Sequence, residues 1–162
     1  MNRSGELMEA IKEYWDERTR TKRDFFLLNY MELEPEFDNR LKFLVDCHSE
    51  KVKDGCQKKI KYIYLCHLMS SSYTESYQAT LGMSSSMLYL DDNKSETYWF
   101  PEAIYKNIDQ DMDKIKAHLR KKFIRLEEYE LFGLKQKLLS DDWKILKECF
   151  LLLIKNSINL VK

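Results

Sequence analysis

Apolar residues recur every three or four positions along most of this chain, the spacing that keeps side chains on one face of a helix turning about 100° per residue. From about Glu6 to Tyr30, Leu7, Ile11, Tyr14, Trp15, Phe25 and Phe26 share a face, with Leu28 at its edge. Ser4 is placed to cap the start, and Glu6 adds a favourable charge in the first turn. Arg18, Lys22 and Asn29 fall inside the same stripe and interrupt it. Glu34-Pro35 marks a break, because the residue before a proline is pushed out of the helical region. A second helix is expected from about Glu36 to Lys53, burying Phe37, Leu41, Leu44, Val45, His48 and Val52, with Gly55 as its stop. A third is expected from about Cys56 to Ser71, turning Ile60, Ile63, Tyr64, His67 and Leu68 inward. So short a connection makes the second and third helices an antiparallel hairpin.

The period changes between Ser70 and Phe100. Serines cluster at 70–72 and 84–86, and Tyr77, Ala79, Leu81 and Met83 alternate with smaller or polar residues. Met-Leu-Tyr-Leu at 87–90 and Thr-Tyr-Trp-Phe at 97–100 flank the turn-like Asp91-Asp92-Asn93-Lys94, which reads as a small hairpin or meander. Pro101 suits the first position of a helix. The helix it opens has the clearest period of all: Ile104, Ile108, Met112, Ile115, Leu119, Phe123 and Leu126 follow at helical steps. The pattern runs on through Tyr129 toward Leu139, although Gly133 weakens it by roughly 1 kcal/mol. Ser140-Asp141-Asp142-Trp143 then offers a capping hydroxyl and two acids for the start of a last helix. That helix carries Trp143, Ile145, Leu146, Cys149, Phe150, Leu153, Ile154 and Ile158. Around 149–154 it is apolar on all sides, which puts it at the centre of a bundle or under another chain.

These elements predict a mainly α fold over residues 1–162 as a single domain. It is a bundle of about five helices, with a small antiparallel β-hairpin or meander at about 76–100 inserted between helices three and four. Composition agrees: four Gly and two Pro leave little turn chemistry for a many-stranded β fold. Hydrophobic residues at 44% and charged residues at 33% are those of a chain that builds a core and solvates its surface.

Charge and cysteine content narrow the function classes. The 27 basic and 27 acidic residues cancel, so no global field draws the chain toward nucleic acid or an acidic membrane, although a local basic patch remains compatible with that balance. The amino-terminal stretch is charged and amphipathic, without the apolar core of a secretory signal. The longest apolar run, Cys149 to Ile154, is far short of the roughly 20 residues that span a bilayer. Cys47, Cys56, Cys66 and Cys149 are too sparse for a disulfide scaffold, and reduced thiols in the cytoplasm are expected.

Several constellations suggest chemistry. Cys47-His48, Cys56 and Cys66-His67 offer five zinc-type ligands, but adjacent residues on a helix diverge by about 100° and do not converge on one ion. His48 and His67 both face the expected helical seam, offset along it by roughly 7 Å. A Cys/His nucleophilic pair would have to form across helices, for example Cys66 with His48. Asp109, Asp111 and Asp113 mimic a calcium loop, yet Lys114 stands where its Gly belongs and Arg120 where its Glu belongs, so they read as a solvated face. Asp91, Asn93, Ser95 and Glu102 fit the spacing better but lack the turn Gly, replaced by Glu96. Lys114, His118, Lys121, Lys122 and Arg125 line one flank of the long helix, as a phosphate-binding face or simply its polar side, with Glu127 and Glu128 near enough to pair.

Arg18 and Lys22 are the least ordinary feature. A buried unpaired cation costs several kcal/mol, so they must snorkel, bind an anion, or pair with an acid on a neighbouring helix. The expected role is a non-enzymatic interaction or regulatory domain that self-associates, with a protein or a second copy as partner. No cofactor, bound metal or membrane is expected with it. The rival reading is a small-molecule or metal-binding helical domain, enzymatic or not, using Arg18, Lys22, His48 and His67. A third is nucleic-acid binding through the 114–125 face.

Overall fold

The computed structural model describes residues 3–85 and 88–157. Helix α1 spans Arg3–Leu28, and after a 3-10 turn at Tyr30–Leu33 helix α2 spans Glu34–Lys53. Strand β1 (Tyr62–His67), a five-residue helix α3 (Met69–Tyr73), β2 (Ala79–Ser84) and β3 (Ser95–Trp99) follow. The chain then returns to helix through α4 (Glu102–Tyr105), α5 (Ile108–Arg120) and α6 (Glu128–Ser157). The fold is therefore mainly α, with one small three-stranded antiparallel sheet in the order β1-β2-β3. Among the described residues, no helix is long and apolar enough to cross a membrane. Two compact units emerge: residues 1–29 with 104–146, and residues 30–103 with 147–162.

In the first unit, α1 packs on α5. Its stripe is buried at Leu7, Ile11, Trp15 and Phe26, and Arg18 is buried among them. Phe25 and Leu28, expected on that face or its edge, are exposed. The long helix expected from Pro101 is instead broken twice. A first break before Asn107 separates α4 from α5, and after Arg120 the chain leaves the helix until Glu128. The restart has a local cause: Oε2 of Glu130 accepts the backbone N–H of Glu127 at 2.9 Å, the return bond of a capping box. Once restarted, α6 runs unbroken through Ser140-Asp141-Asp142-Trp143, so the expected helix start there is not one. Gly133 is accommodated inside α6, its propensity cost being small against the packing of Leu134, Leu138 and Leu139. Ile158 lies outside the described residues.

In the second unit, α2 carries Pro35 in its first turn, so the break before it falls at Asn29 to Leu33 rather than at Glu34. Phe37, Leu41, Leu44 and His48 are buried as expected, while Val52 is exposed. Gly55 does end this region: it takes φ 72°, and Cys56 N–H returns to the Lys51 carbonyl at 2.9 Å. The third helix does not form. Tyr62 to His67 is β1, paired from Tyr62 opposite Ser84 to His67 opposite Ala79. The spacing of Ile60, Ile63, Tyr64, His67 and Leu68 fits a helix, but the run is short and rich in aromatic and β-branched residues, and a waiting β2 strand decides its state. The meander thus gains a strand. Its expected part holds at β2 and β3, whereas Leu88–Leu90 form a 3-10 turn instead of a strand, and Ser86 and Met87 lie outside the described residues.

The register divides the sheet into two faces. Ala79, Leu81, Met83 and Trp99 are buried on one, where α2 packs across β2 and β3 and Phe37 meets Trp99 edge-on at 5.3 Å between ring centroids. Phe150 of α6 completes that cluster, 5.9 Å from Phe37. On the other face Tyr64 lies across Gly82, and its hydroxyl donates to Glu96 of β3 at 2.8 Å. A side chain at 82 would fall inside the van der Waals shell of the Tyr64 ring. Gly82→Ala is therefore expected to cost about 1–3 kcal/mol, the usual penalty of overpacking. In a Tyr64→Ala background the same change should cost almost nothing further, a coupling that a double-mutant cycle of urea midpoints would measure.

Candidate functional site

The buried charge on α1 is the natural place to look for chemistry. Trp15, Arg18 and Lys22 follow at helical steps and share a face. On α5, Asp111 stands between Ile108 and Ile115, and on α6 Asp142 stands between Leu138 and Ile145. Each of the three apolar stripes thus carries ionisable residues, and packing brings them together. Arg18 donates from Nε and Nη2 to Oδ2 of Asp111 at 2.9 and 2.8 Å. It also donates from Nη1 and Nη2 to the two oxygens of Asp142, a two-pronged contact matched to the carboxylate plane. Lys22 Nζ donates to Oδ2 of Asp142 at 2.7 Å, and the Tyr14 hydroxyl to Oδ1 of Asp111 at 3.2 Å. The adjacent residue on α6, Asp141, accepts Trp15 Nε1 at 2.9 Å and Lys144 Nζ at 2.7 Å.

The electrostatics follow from burial and pairing. Burial opposes the Arg18 charge, but Asp142 and Asp111 outweigh it and hold the guanidinium above its ordinary pKa. Lys22 is pulled below its ordinary value, because burial and the nearby Arg18 charge exceed the pull of Asp142. Tyr14 is pushed up to about 12, by burial first and then by the Asp111 charge. Tyr105 is raised by burial and, secondarily, by Asp142. Two cations and two carboxylates balance here, and the hydrogen bonds of Arg18 join α1 to α5 and to α6 at once. What this arrangement does chemically is hold position.

The pairing alternative for Arg18 and Lys22 is the one present, and one carboxylate, Asp142, serves both. Its partners were hidden in the sequence. Asp142 looks like a capping acid and Asp111 like part of a solvated acidic face. Asp142 is instead fully buried, and Asp111 is 9% exposed. The available signal was their position: each acid falls on the apolar side of its helix, as Arg18 does.

His48 and His67 belong to the second unit. His48 is buried on α2, with Nε2 2.8 Å from the Lys58 carbonyl. A carbonyl only accepts, so Nε2 carries the proton and the ring pins the chain after Gly55 back to α2. His67 is half-buried at the end of β1, opposite Ala79, and burial lowers its pKa. The seam expected between two helices is replaced by helix α2 and strand β1, with Cys47 on the first, Cys66 on the second and Cys56 exposed between them. Among the described residues, no group of three or more His, Cys, Asp or Glu side chains is placed to hold a metal ion. Asp91, read as a possible calcium ligand, is committed elsewhere. It accepts Gln57 Nε2 at 2.7 and 2.8 Å, Ser84 Oγ at 2.9 Å, and the backbone N–H groups of Asn93 and Ser85. Compared with family models, with curated proteins and with solved structures, the chain matches none.

Two tests follow from these networks. Asp142→Ala leaves Arg18 and Lys22 buried beside too little negative charge and should cost about 3–5 kcal/mol by urea unfolding. A loss no greater than about 0.5 kcal/mol, as at an ordinary surface site, would remove the network from its structural role. The Gln57 amide, Ser84 and the two backbone donors lower the Asp91 pKa from 3.8 to about 2. A carboxyl depressed on folding stabilises above its unfolded value, and the contribution is lost as pH falls through the window from 3.8 to about 2. Acid unfolding of the wild type should show that loss, and Asp91→Asn should flatten it.

Proposed function

We propose that this chain is a non-enzymatic interaction domain of the cytoplasm that pairs with a second copy of itself through the outer edge of β1. The observation that carries this reading is the place of β1 in the sheet: it is an end strand, hydrogen-bonded to β2 on one side. An end strand presents a row of backbone donors and acceptors that another strand can complete. Edges not meant for pairing are blunted by charge, proline or a bulge. Tyr62-Ile63-Tyr64-Leu65-Cys66-His67 contains no Pro, Gly, Lys, Arg, Asp or Glu. Lys58, Lys59 and Lys61 stand just before it and would limit how far two strands slide past each other.

Self-pairing also satisfies symmetry. Two antiparallel β1 strands related by a two-fold axis at Tyr64 form a closed dimer, in which the same patch serves both copies. The two three-stranded sheets would then become one of six strands, with the exposed Tyr62 and Tyr98 on its outer face. Light scattering at tens of micromolar is expected to give twice the 19.6 kDa chain mass. Tyr62→Lys with Cys66→Lys places like charges across the dyad and should return the protein to a monomer. A wild type that is strictly monomeric, or a dimer that survives both substitutions, overturns this reading.

A further inference from the structure

The turn between α5 and α6 has a construction that the dimer edge does not use. Its apex, Ile124, has a relative exposure of 109%, more than in an extended reference peptide, so the side chain stands clear of its neighbours. Lys121 and Lys122 precede it and Arg125 follows, all exposed. From Arg120 to Glu128 four cations face two acids, Glu127 and Glu128, in a chain whose total charge is zero. Arg125 pairs with Glu127 at 2.7 Å but keeps 83% of its side chain in solvent.

The turn is also held from beneath. Arg3 stacks over the Phe123 ring at 4.6 Å, donates to the Arg125 carbonyl at 2.7 Å and pairs with Glu130 at 2.9 Å. Glu130 in turn caps α6. One guanidinium thus braces the residues on both sides of Ile124, and the turn presents that residue from a fixed base. Tyr129, 73% exposed, shares with Arg3 the wall of a shallow cleft of about 190 Å³, which places an amphipathic ring beside the same brace.

We propose that this turn docks on an anionic lipid surface, with Ile124 entering the headgroup boundary and Lys121, Lys122 and Arg125 meeting the lipid charges. Basic residues near an acidic leaflet are each attracted to it, an apolar side chain gains by leaving water at the acyl boundary, and Tyr favours that interface. The apex residue decides among anionic partners. Phosphate backbones are met by cations with aromatic or hydrogen-bonding side chains, for which a projecting aliphatic residue supplies neither stacking nor polarity. An acidic protein would need a pocket to receive Ile124, whereas a fluid lipid boundary needs none. Global neutrality does not oppose this, because screening limits the relevant field to about 8 Å at physiological ionic strength.

The test is co-sedimentation of the full chain with vesicles of phosphatidylcholine alone or mixed with phosphatidylserine, alongside anisotropy titrations of labelled single- and double-stranded oligonucleotides. Partition onto the serine-containing vesicles is expected to be at least about tenfold stronger and to fall with added salt. Lys121→Glu with Lys122→Glu should abolish the preference for anionic lipid. Ile124→Ser should weaken binding at least about threefold while leaving the salt dependence in place. All three side chains are exposed, so circular dichroism should match the wild type; should a variant misfold, the wild type's lipid preference and salt response still decide. Equal partition onto both vesicles overturns the proposal, as does wild-type binding by Ile124→Ser. So does oligonucleotide binding without vesicle binding, which would assign the same cations to nucleic acid.

Discussion

A guanidinium cannot be buried in a helix interface without an anion to receive it, and in this chain Arg18 is buried on the face that α1 uses for packing. Asp111 and Asp142 answer that requirement from two other helices, and the geometry of the answer is restrictive. A fork of donors fixed in one plane contacts both carboxylates, so α1, α5 and the first part of α6 meet in one register. Apolar stripes alone would tolerate a slide by one helical turn, because Leu and Ile pack acceptably against many neighbours. A charged pair in a dry interior does not, since a slide would strand each ion without its partner. Lys22 raises the stakes by placing a second cation on the same Asp142, at the cost of a depressed pKa of its own.

The second unit solves a different problem with neutral groups. A three-stranded sheet offers little area for a core, and this one is closed on one face by α2 and by the Phe37, Trp99 and Phe150 cluster. On the opposite face a single tyrosine does the bracing. Tyr64 reaches across β2 to Glu96 because Gly82 presents nothing in the way. The connection between β2 and β3 is organised by Asp91, whose charge is met by an amide, a hydroxyl and backbone N–H groups instead of a cation. Protonation of such a carboxylate weakens the bonds it accepts, so the loop is expected to lose stability in acid.

Both internal networks spend their polar groups on holding elements in place, so the features with capacity to meet another molecule lie outside them. β1 ends the sheet, and the proposed dimer would use its outer edge for backbone hydrogen bonding. The turn at Ile124 sets an exposed aliphatic side chain between Lys121, Lys122 and Arg125, and the proposed partner there is an acidic lipid surface. The two are chemically independent. The first is expected to depend on strand register and little on salt, and the second on salt and not on register.

The hydrophobic period by itself determined that the chain is mainly α, that a small meander interrupts it, and that Leu7, Ile11, Phe37, Leu41, Ile115 and Leu119 line cores. It also showed that Arg18 and Lys22 sit where cations do not belong. These are local properties, readable from spacing along one element. What spacing could not decide was the state of Tyr62 to His67, whose residues suit a strand as well as a helix until β2 is available to pair with it. Nor could it place the boundaries near Arg120 and Glu128, where the local capping bond of Glu130 is joined by Arg3, distant in sequence, which braces the turn. Above all, the role of Asp142 was settled only in three dimensions. A serine followed by two acids is an adequate helix start by local rules, and only the approach of Arg18 from another helix turns the second acid into the anion of a buried ionic network.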